Sequence, residues 1–584
     1  MPPCFRVCLL RLGTLTSRLY RKRRQDMGTG LCDRCAQLVE DFVTYVQRVS
    51  SNLVEKIKEC VKAIAHCCCL RKKTTAPRTF VQPLVQEHER RAARELLQHL
   101  DAGGESGLLG RQCLNSLNTL AESENHELQQ SASVYLLHLS QQLAIPLPSA
   151  FLDPYPALLR SSDLEVQRTA SLSLVNLLVE HNVNKELVVE MGMLEPILDM
   201  LESGDPTLQC NSCACVAMLA NSATNREAIT SADGVLRILV LAKSYDPRVQ
   251  KNAVGALLNL TRSERILGAL CSEGALPVLA LLLQSADSEV QYYSCCALRN
   301  VAAVLEYHPR MLGIGDRFLL KSLLSLLSSP VEKNSCQACL CLRNLAVNVR
   351  TQEELMALDC VSPLTSLLRS PALGKSESAI TLLSALSQHP PNRDKLVEEG
   401  LIRAVGELLL LHGSSTTVLS HGAMTIANLS DTATGQQAVM DSDCVPKLLE
   451  ALATDSITEE AQLCVASCLH HLTSLESLRP HIAEKMTADH VYHLASFATQ
   501  AENPELSFHV TLIIGELEMN GGCFAAAVSG SAVQQQLHGS REQTECTSEL
   551  LTMVQPLSLS PEMTPSTRAQ TDPSSEGPDP VPFF

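Results

Sequence analysis

The sequence predicts an all-α solenoid of about ten stacked helical repeats. Its main evidence is a ladder of positions: His138, Asn176, Met218, Asn259, Asn300, Asn344, Ala385, Asn428, His471 and Glu516 recur at steps of 38 to 45 residues. Five of the ten are asparagine, each followed by leucine or valine. A fixed period near 42 marks units that cannot bury their apolar faces alone and must stack on neighbours. Composition agrees: the chain is 45% hydrophobic but 3% aromatic with no Trp, so its core must come from Leu, Ala, Val and Cys. A repeat array can hold most of 584 residues in one body, where length alone would suggest several domains.

The chain begins with a basic segment, residues 1–78. It holds 16 Lys+Arg against 6 Asp+Glu, whereas the whole chain has a formal net charge of −16. A basic end suits a surface of anionic lipids, where each Lys or Arg contributes roughly 1 kcal/mol. Between Cys35 and Ala65 the apolar residues Leu38, Phe42, Val46, Val49, Leu53, Ile57, Val61 and Ile64 recur at helical spacing. Cys67, Cys68 and Cys69 follow, then Arg71, Lys72 and Lys73. Adjacent thiols beside an amphipathic helix and basic residues are a setting for S-palmitoylation. One acyl chain anchors marginally, and two chains, or one with a polybasic patch, anchor stably. Two other readings stay open: a solvated basic arm, and a mitochondrial presequence, since residues 1–24 hold seven basic and no acidic residues. No apolar run reaches the 18 residues of a membrane-crossing helix.

Residues 79–107 read as a linker helix, Thr79 to Leu100, ended by a break from Asp101 to Gly107. Repeats follow over 108–522. A clean unit opens at Gly192, Gly234 or Gly274 with a leucine-rich helix. A polar break of Ser, Asp or Pro comes next, and then a longer helix with apolar residues such as Val249, Val254, Leu257 and Leu258 on one face. The opening glycines suit backbone turns of positive φ. Most of the 24 cysteines lie inside repeats, among them Cys210, Cys213, Cys215, Cys295, Cys296, Cys336, Cys339 and Cys341. Without a paired C-x-x-C they read as core fillers in a reducing, cytoplasmic compartment. Residues 523–584 are a Ser/Pro/Thr-rich tail, too polar to bury a core and expected to be disordered.

This unit resembles the armadillo repeat. More closely, "ALLRSSDLEVQ", "VEMGMLEPILDMLESGDPTLQCN", "DSEVQYY" and "CQACLCLRNLA" resemble the vacuolar protein 8 family of membrane-anchored armadillo proteins, over about 155–350. The resemblance implies a right-handed superhelical solenoid and a scaffold held on the cytosolic face of a vacuole- or lysosome-like organelle. It also implies a groove whose asparagines hold extended peptide segments of adaptor or tethering partners. An asparagine amide both donates and accepts, as a peptide backbone does. The implied groove residues are Asn176, Asn259, Asn300, Asn344 and Asn428, with Arg299 and Arg343 adding charge-assisted bonds to acidic partner side chains. Relatives carry an N-terminal glycine for myristoylation, but here Pro2 follows Met1. Gly28 would take that role only if translation began at Met27.

Other function classes find less support. The motifs of P-loops, dinucleotide folds, zincins and α/β-hydrolases are missing, so no enzymatic activity, cofactor or small-molecule substrate is expected. His470 and His471 adjoin on one helix and point about 100° apart, which disfavours a shared metal, and Glu459 and Glu460 read as a solvated face. The acidic body repels nucleic-acid phosphate. A nuclear import adaptor is the alternative armadillo reading, with Arg21 to Arg24 as an importin-binding arm. That family places a tryptophan four residues before each groove asparagine, and here Gly255, Cys296 and Leu340 stand there.

Overall fold

The computed structural model describes residues 85–102, 110–142, 145–453, 457–500 and 503–518, and no strand occurs among them. The segment 1–78, with Gly28 and Cys67, Cys68 and Cys69, lies outside the described residues, as does the tail 523–584. Each ladder position falls in one of ten long helices: α1 (His126–Gln142), α2 (Leu164–Val179), α3 (Pro206–Leu219), α4 (Pro247–Leu260), α5 (Ser288–Ala302), α6 (Glu332–Leu345), α7 (Leu373–Ser387), α8 (Thr416–Leu429), α9 (Glu459–Ser474) and α10 (Pro504–Glu518). Shorter helices join them, and no single described helix is long and apolar enough to cross a membrane.

The described chain falls into two compact units, 85–278 and 279–518. In the first, α1 packs on α2, α2 on α3 and α3 on α4; in the second, α5 to α10 pack successively in the same way. Helices of adjacent repeats therefore bury one another, which a single repeat cannot do for itself. The filling is aliphatic: Leu174, Leu177 and Leu178 on α2, and Leu342 and Leu345 on α6, are fully buried. Each such leucine contributes about 1.5 to 3 kcal/mol on leaving water.

The polar breaks act as helix caps. Asp163, Asp205, Asp246 and Asp287 precede α2 to α5, and their carboxylates accept from Val166, Leu208, Arg248 and Val290 N–H groups at 3.0, 2.9, 2.9 and 3.3 Å. Two residues earlier Ser161, Ser203, Ser244 and Ser285 each accept the aspartate N–H at 3.2 Å. Each cap stabilises its helix by about 1 kcal/mol. Beyond α5 the aspartate is lost: Val331 and Ala372 precede α6 and α7 without a side-chain cap. The C-termini are closed from six residues downstream. Arg226, Gln352, Asn392, Gln436 and Arg479 donate to the carbonyls of Ala220, Ala346, Leu386, Ser430 and Thr473.

Two expectations are corrected. Of the expected linker helix the start at Thr79 lies outside the described residues; the described helix spans Glu87–Ala102 and runs on through Asp101, past the expected end at Leu100. Pro83 stands ahead of it, and the Gln86 N–H donates to the Glu89 carboxylate at 2.6 Å, half of a capping box that sets the start. Gly192 and Gly274 do take positive φ, at 73° and 85°, but before α4 the left-handed residue is Asp233 at 56°, not Gly234. Gly234 is needed for space instead, since a Cβ there would come within 2.7 Å of Ile229.

Candidate functional site

The long helices α1 to α10 carry the ladder, and burial divides it. In the first unit Asn176 is 1% exposed and Asn259 4% exposed. Asn176 Nδ2 donates to Ser140 Oγ on α1 at 3.1 Å, and Asn259 Nδ2 donates to the Ala217 carbonyl on α3 at 2.8 Å. In the second unit Asn344 Nδ2 donates to the Arg299 carbonyl at 3.2 Å and Asn428 Nδ2 to Ser387 Oγ at 3.0 Å, but both side chains, with Asn300, are half-exposed. All four amides reach back one repeat, because a step near 42 returns each rung to the same place on the next helix. One N–H of each carboxamide is used in this way; the second is available only where the side chain meets solvent.

Arg299 and Arg343 lie along this half-exposed row. Arg299 donates to Gln337 Oε1 at 2.9 Å and to Asn300 Oδ1 at 3.4 Å, and Arg343 donates to Asn344 Oδ1 at 3.2 Å. Both guanidiniums thus rest on neutral amide oxygens, and no carboxylate pairs with either among the described residues. Their positive charge is not neutralised locally. Two acidic groups farther along, Asp431 and Glu516, are already taken. Asp431 lies 2.5 Å from Arg393 and 3.0 Å from His471 Nε2, the latter a close contact without hydrogen-bond geometry, and Glu516 pairs with Arg479 at 2.7 Å.

The missing rung between Asn344 and Asn428 is Ala385, which offers no polar group. On α8 stands His421, whose imidazole is pushed down to about 4 by burial and by the charge of Arg343. Farther along, burial and the neighbouring His509 push His470 down to about 4, and the two Nδ1 atoms lie 3.1 Å apart. These imidazoles are neutral at neutral pH. Gln337, His421 and His509 were not singled out from the sequence, yet each stands seven residues before a rung, two turns back on the same helix face. That second spacing was the available signal.

The thiols of the repeats sit in the core. Cys213, Cys215, Cys295, Cys296, Cys339 and Cys341 are buried, while Cys210 and Cys336 are half-buried. Burial pushes Cys296 up to about 11 and Cys341 up to about 12, so they stay protonated and unreactive. Among the described residues no three His, Cys, Asp or Glu side chains gather as metal ligands. At the places where import adaptors carry tryptophan, Gly255 and Cys296 are buried and Leu340 is half-buried.

Comparison with known proteins agrees with this architecture. The Armadillo/beta-catenin-like repeat family matches residues 181–220, 222–262 and 266–303. The chain is 43% identical to vacuolar protein 8 of Schizosaccharomyces pombe over 404 residues, 68% of this chain and 72% of that protein. It is 38% identical to vacuolar protein 8 of Komagataella pastoris over 126 residues, 22% of each chain. Among solved structures, an engineered protein aligns with a TM-score of 0.61 at 24% identity, covering 69% of this chain and 98% of its own. A structure from work on the interaction between cadherin and beta-catenin aligns with a TM-score of 0.56 at 18% identity, over 78% of this chain and 93% of its own. At these identities the two structures speak for the fold alone.

Proposed function

The chain belongs to the vacuolar protein 8 family of armadillo-repeat proteins, and on that premise we propose that it is a non-enzymatic scaffold, lipid-anchored on the cytosolic face of a vacuole- or lysosome-like membrane, that holds extended acidic segments of adaptor or tethering proteins. Protein interaction is the coarse reading that family and repeats support; the membrane, the anchor and the acidic segment are the finer parts of the proposal.

The observation that carries the binding reading is the row Asn300, Asn344 and Asn428 with Arg299 and Arg343. Its amides are half-exposed, and its two guanidiniums have no carboxylate partner among the described residues. A partner backbone pairs with the amides without regard to its sequence, and an acidic side chain answers the guanidiniums through charge-assisted bonds. Asn176 and Asn259 belong to the same ladder but act as ties between repeats, because their amides are buried.

The anchoring reading rests on the sequence of residues 1–78. Cys67, Cys68 and Cys69 accept acyl chains while the flanking basic residues meet anionic lipid headgroups, giving the two signals stable attachment needs. Acyl-exchange labelling with hydroxylamine, combined with membrane fractionation, tests it. Loss of both label and membrane fraction on changing the three cysteines to serine is expected. A chain that pellets equally well without them refutes the anchor, and accumulation inside mitochondria would point to a presequence. For the row, a partner captured by the wild type should be lost from the Arg343→Gln/Asn428→Ala variant with melting little changed.

A further inference from the structure

Arg299 and Arg343 stand in the last turns of α5 and α6, which pack on one another, and apolar surface begins where those helices end. Val347 and Val349, just past α6, are 50% and 48% exposed, and Leu305, just past α5, is 61% exposed. Leu305 and Val349 hold equivalent places, each five residues beyond its rung. A single exposed aliphatic side chain is ordinary. Three of them at the ends of adjacent helices, beside two guanidiniums without a carboxylate partner among the described residues, fit an occupant both acidic and apolar.

The chain carries such a segment outside the described residues. Residues 569–584, AQTDPSSEGPDPVPFF, hold the carboxylates of Asp572, Glu576 and Asp579, no Lys or Arg, and the apolar Val581, Phe583 and Phe584. Pro573, Pro578, Pro580 and Pro582 disfavour a helix and set φ for an extended, polyproline-like backbone. At about 3.1 Å per residue, the step from Glu576 to Asp579 covers about 9 Å, which matches the spacing of about 8 to 10 Å between packed helices such as α5 and α6. Length is sufficient. The 57 residues between Glu518, which ends α10, and Glu576 extend to about 190 Å, whereas five repeats of about 10 Å each lead from α10 back to α5. The basic segment 1–78 has the wrong charge for the same place.

We propose that residues 569–584 dock within the same chain, Glu576 and Asp579 facing Arg299 and Arg343, and Val581 and Phe583 lying on Leu305, Val347 and Val349. A partner's acidic segment must then displace the chain's own tail. The inference rests on the reading of the row as a site for acidic segments and adds what regulates it. A tethered segment meets its site at an effective concentration on the order of 1 mM, so a dissociation constant of about 0.1 mM fills roughly nine-tenths of the sites.

The test uses the full chain and fluorescence anisotropy with two labelled peptides, one of residues 569–584 and one Gly/Ser peptide of equal length carrying three Glu. Glu576→Gln/Asp579→Gln frees the surface and should bind both peptides about tenfold more tightly than wild type, the gain expected when a nine-tenths occupant is removed. On that background Val347→Ser/Val349→Ser should weaken the tail peptide alone, and Arg299→Gln/Arg343→Gln should weaken both at least tenfold with melting little changed. Equal binding by wild type and the freed chain would overturn the docking. If both chains hold the Gly/Ser peptide equally and neither holds the tail peptide, the row stands and the tail is not its occupant. If no chain binds either peptide, the acidic-segment reading falls together with the inference. A gain that grows with protein concentration would overturn docking within one chain and assign the surface to the tail of a second copy.

Discussion

Replacing Asn259 with alanine should lower stability without disturbing partner capture. The Asn259 side chain is 4% exposed and its Nδ2 lies 2.8 Å from the Ala217 carbonyl. The change removes this bond and leaves a small cavity between α3 and α4. A net hydrogen bond is worth about 1 kcal/mol, and a buried acceptor deprived of its donor costs about 1 to 3 kcal/mol. The Ala217 carbonyl lies in the last turn of α3, where the Asn221 N–H turns to Met218, so the Asn259 amide is its donor and about 1 to 3 kcal/mol is the expectation. The same change at Asn344, half-exposed and donating at 3.2 Å, lets water replace the lost donor and should cost about 0.5 kcal/mol. Urea unfolding followed by circular dichroism, with hydrogen exchange localising the loss to α3 and α4, measures the difference. Equal costs for the two variants, or a cost below about 0.3 kcal/mol for Asn259→Ala, would refute the division of the ladder by burial.

Other outcomes follow from the same geometry. Arg168 Nη2 lies 2.5 Å from Asp205 and holds that carboxyl below its usual range, helped by the Leu208 N–H. A depressed carboxyl contributes stability above its unfolded pKa and loses it as pH falls through the folded value, so Asp205→Asn should flatten the acid limb of the stability profile below about pH 4. His470, pushed down to about 4 with His509, Glu516 and His471 around it, takes its proton first in the unfolded chain. Stability of α9 and α10 should therefore fall between about pH 6.5 and pH 4, a loss that His470→Asn would reduce in pH-dependent hydrogen exchange. With a thiol reagent, half-buried Cys210, Cys336 and Cys464 should label before Cys213, Cys295 and Cys339, which should react only on unfolding; mass mapping of the labelled peptides checks this.

The period near 42 made the ten long helices legible, since each needs a neighbour and so repeats the same apolar face. Helix starts were legible where Ser-x-Asp precedes α2 to α5, and less so from α6 onward, where Val331 and Ala372 replace the aspartate. The role of each asparagine was not legible. Asn176 and Asn300 share one ladder, and only packing of the adjacent helices buries the first and leaves the second half-exposed. Gly234 was misread for a related reason: a glycine can answer a left-handed turn or a close approach, and the Ile229 contact that decides between them is tertiary. The pairing of His470 with His509 crosses 39 residues, and neither residue signals the other locally.

The most direct test of the account is quantitative affinity purification of the membrane-bound full chain, comparing wild type with Arg299→Gln/Arg343→Gln and with Asn259→Ala. The account predicts partner proteins retained by wild type and Asn259→Ala but reduced at least tenfold in the arginine variant, with added salt weakening wild type most. Equal retention by all three would contradict a scaffold that reads acidic segments along α5 and α6.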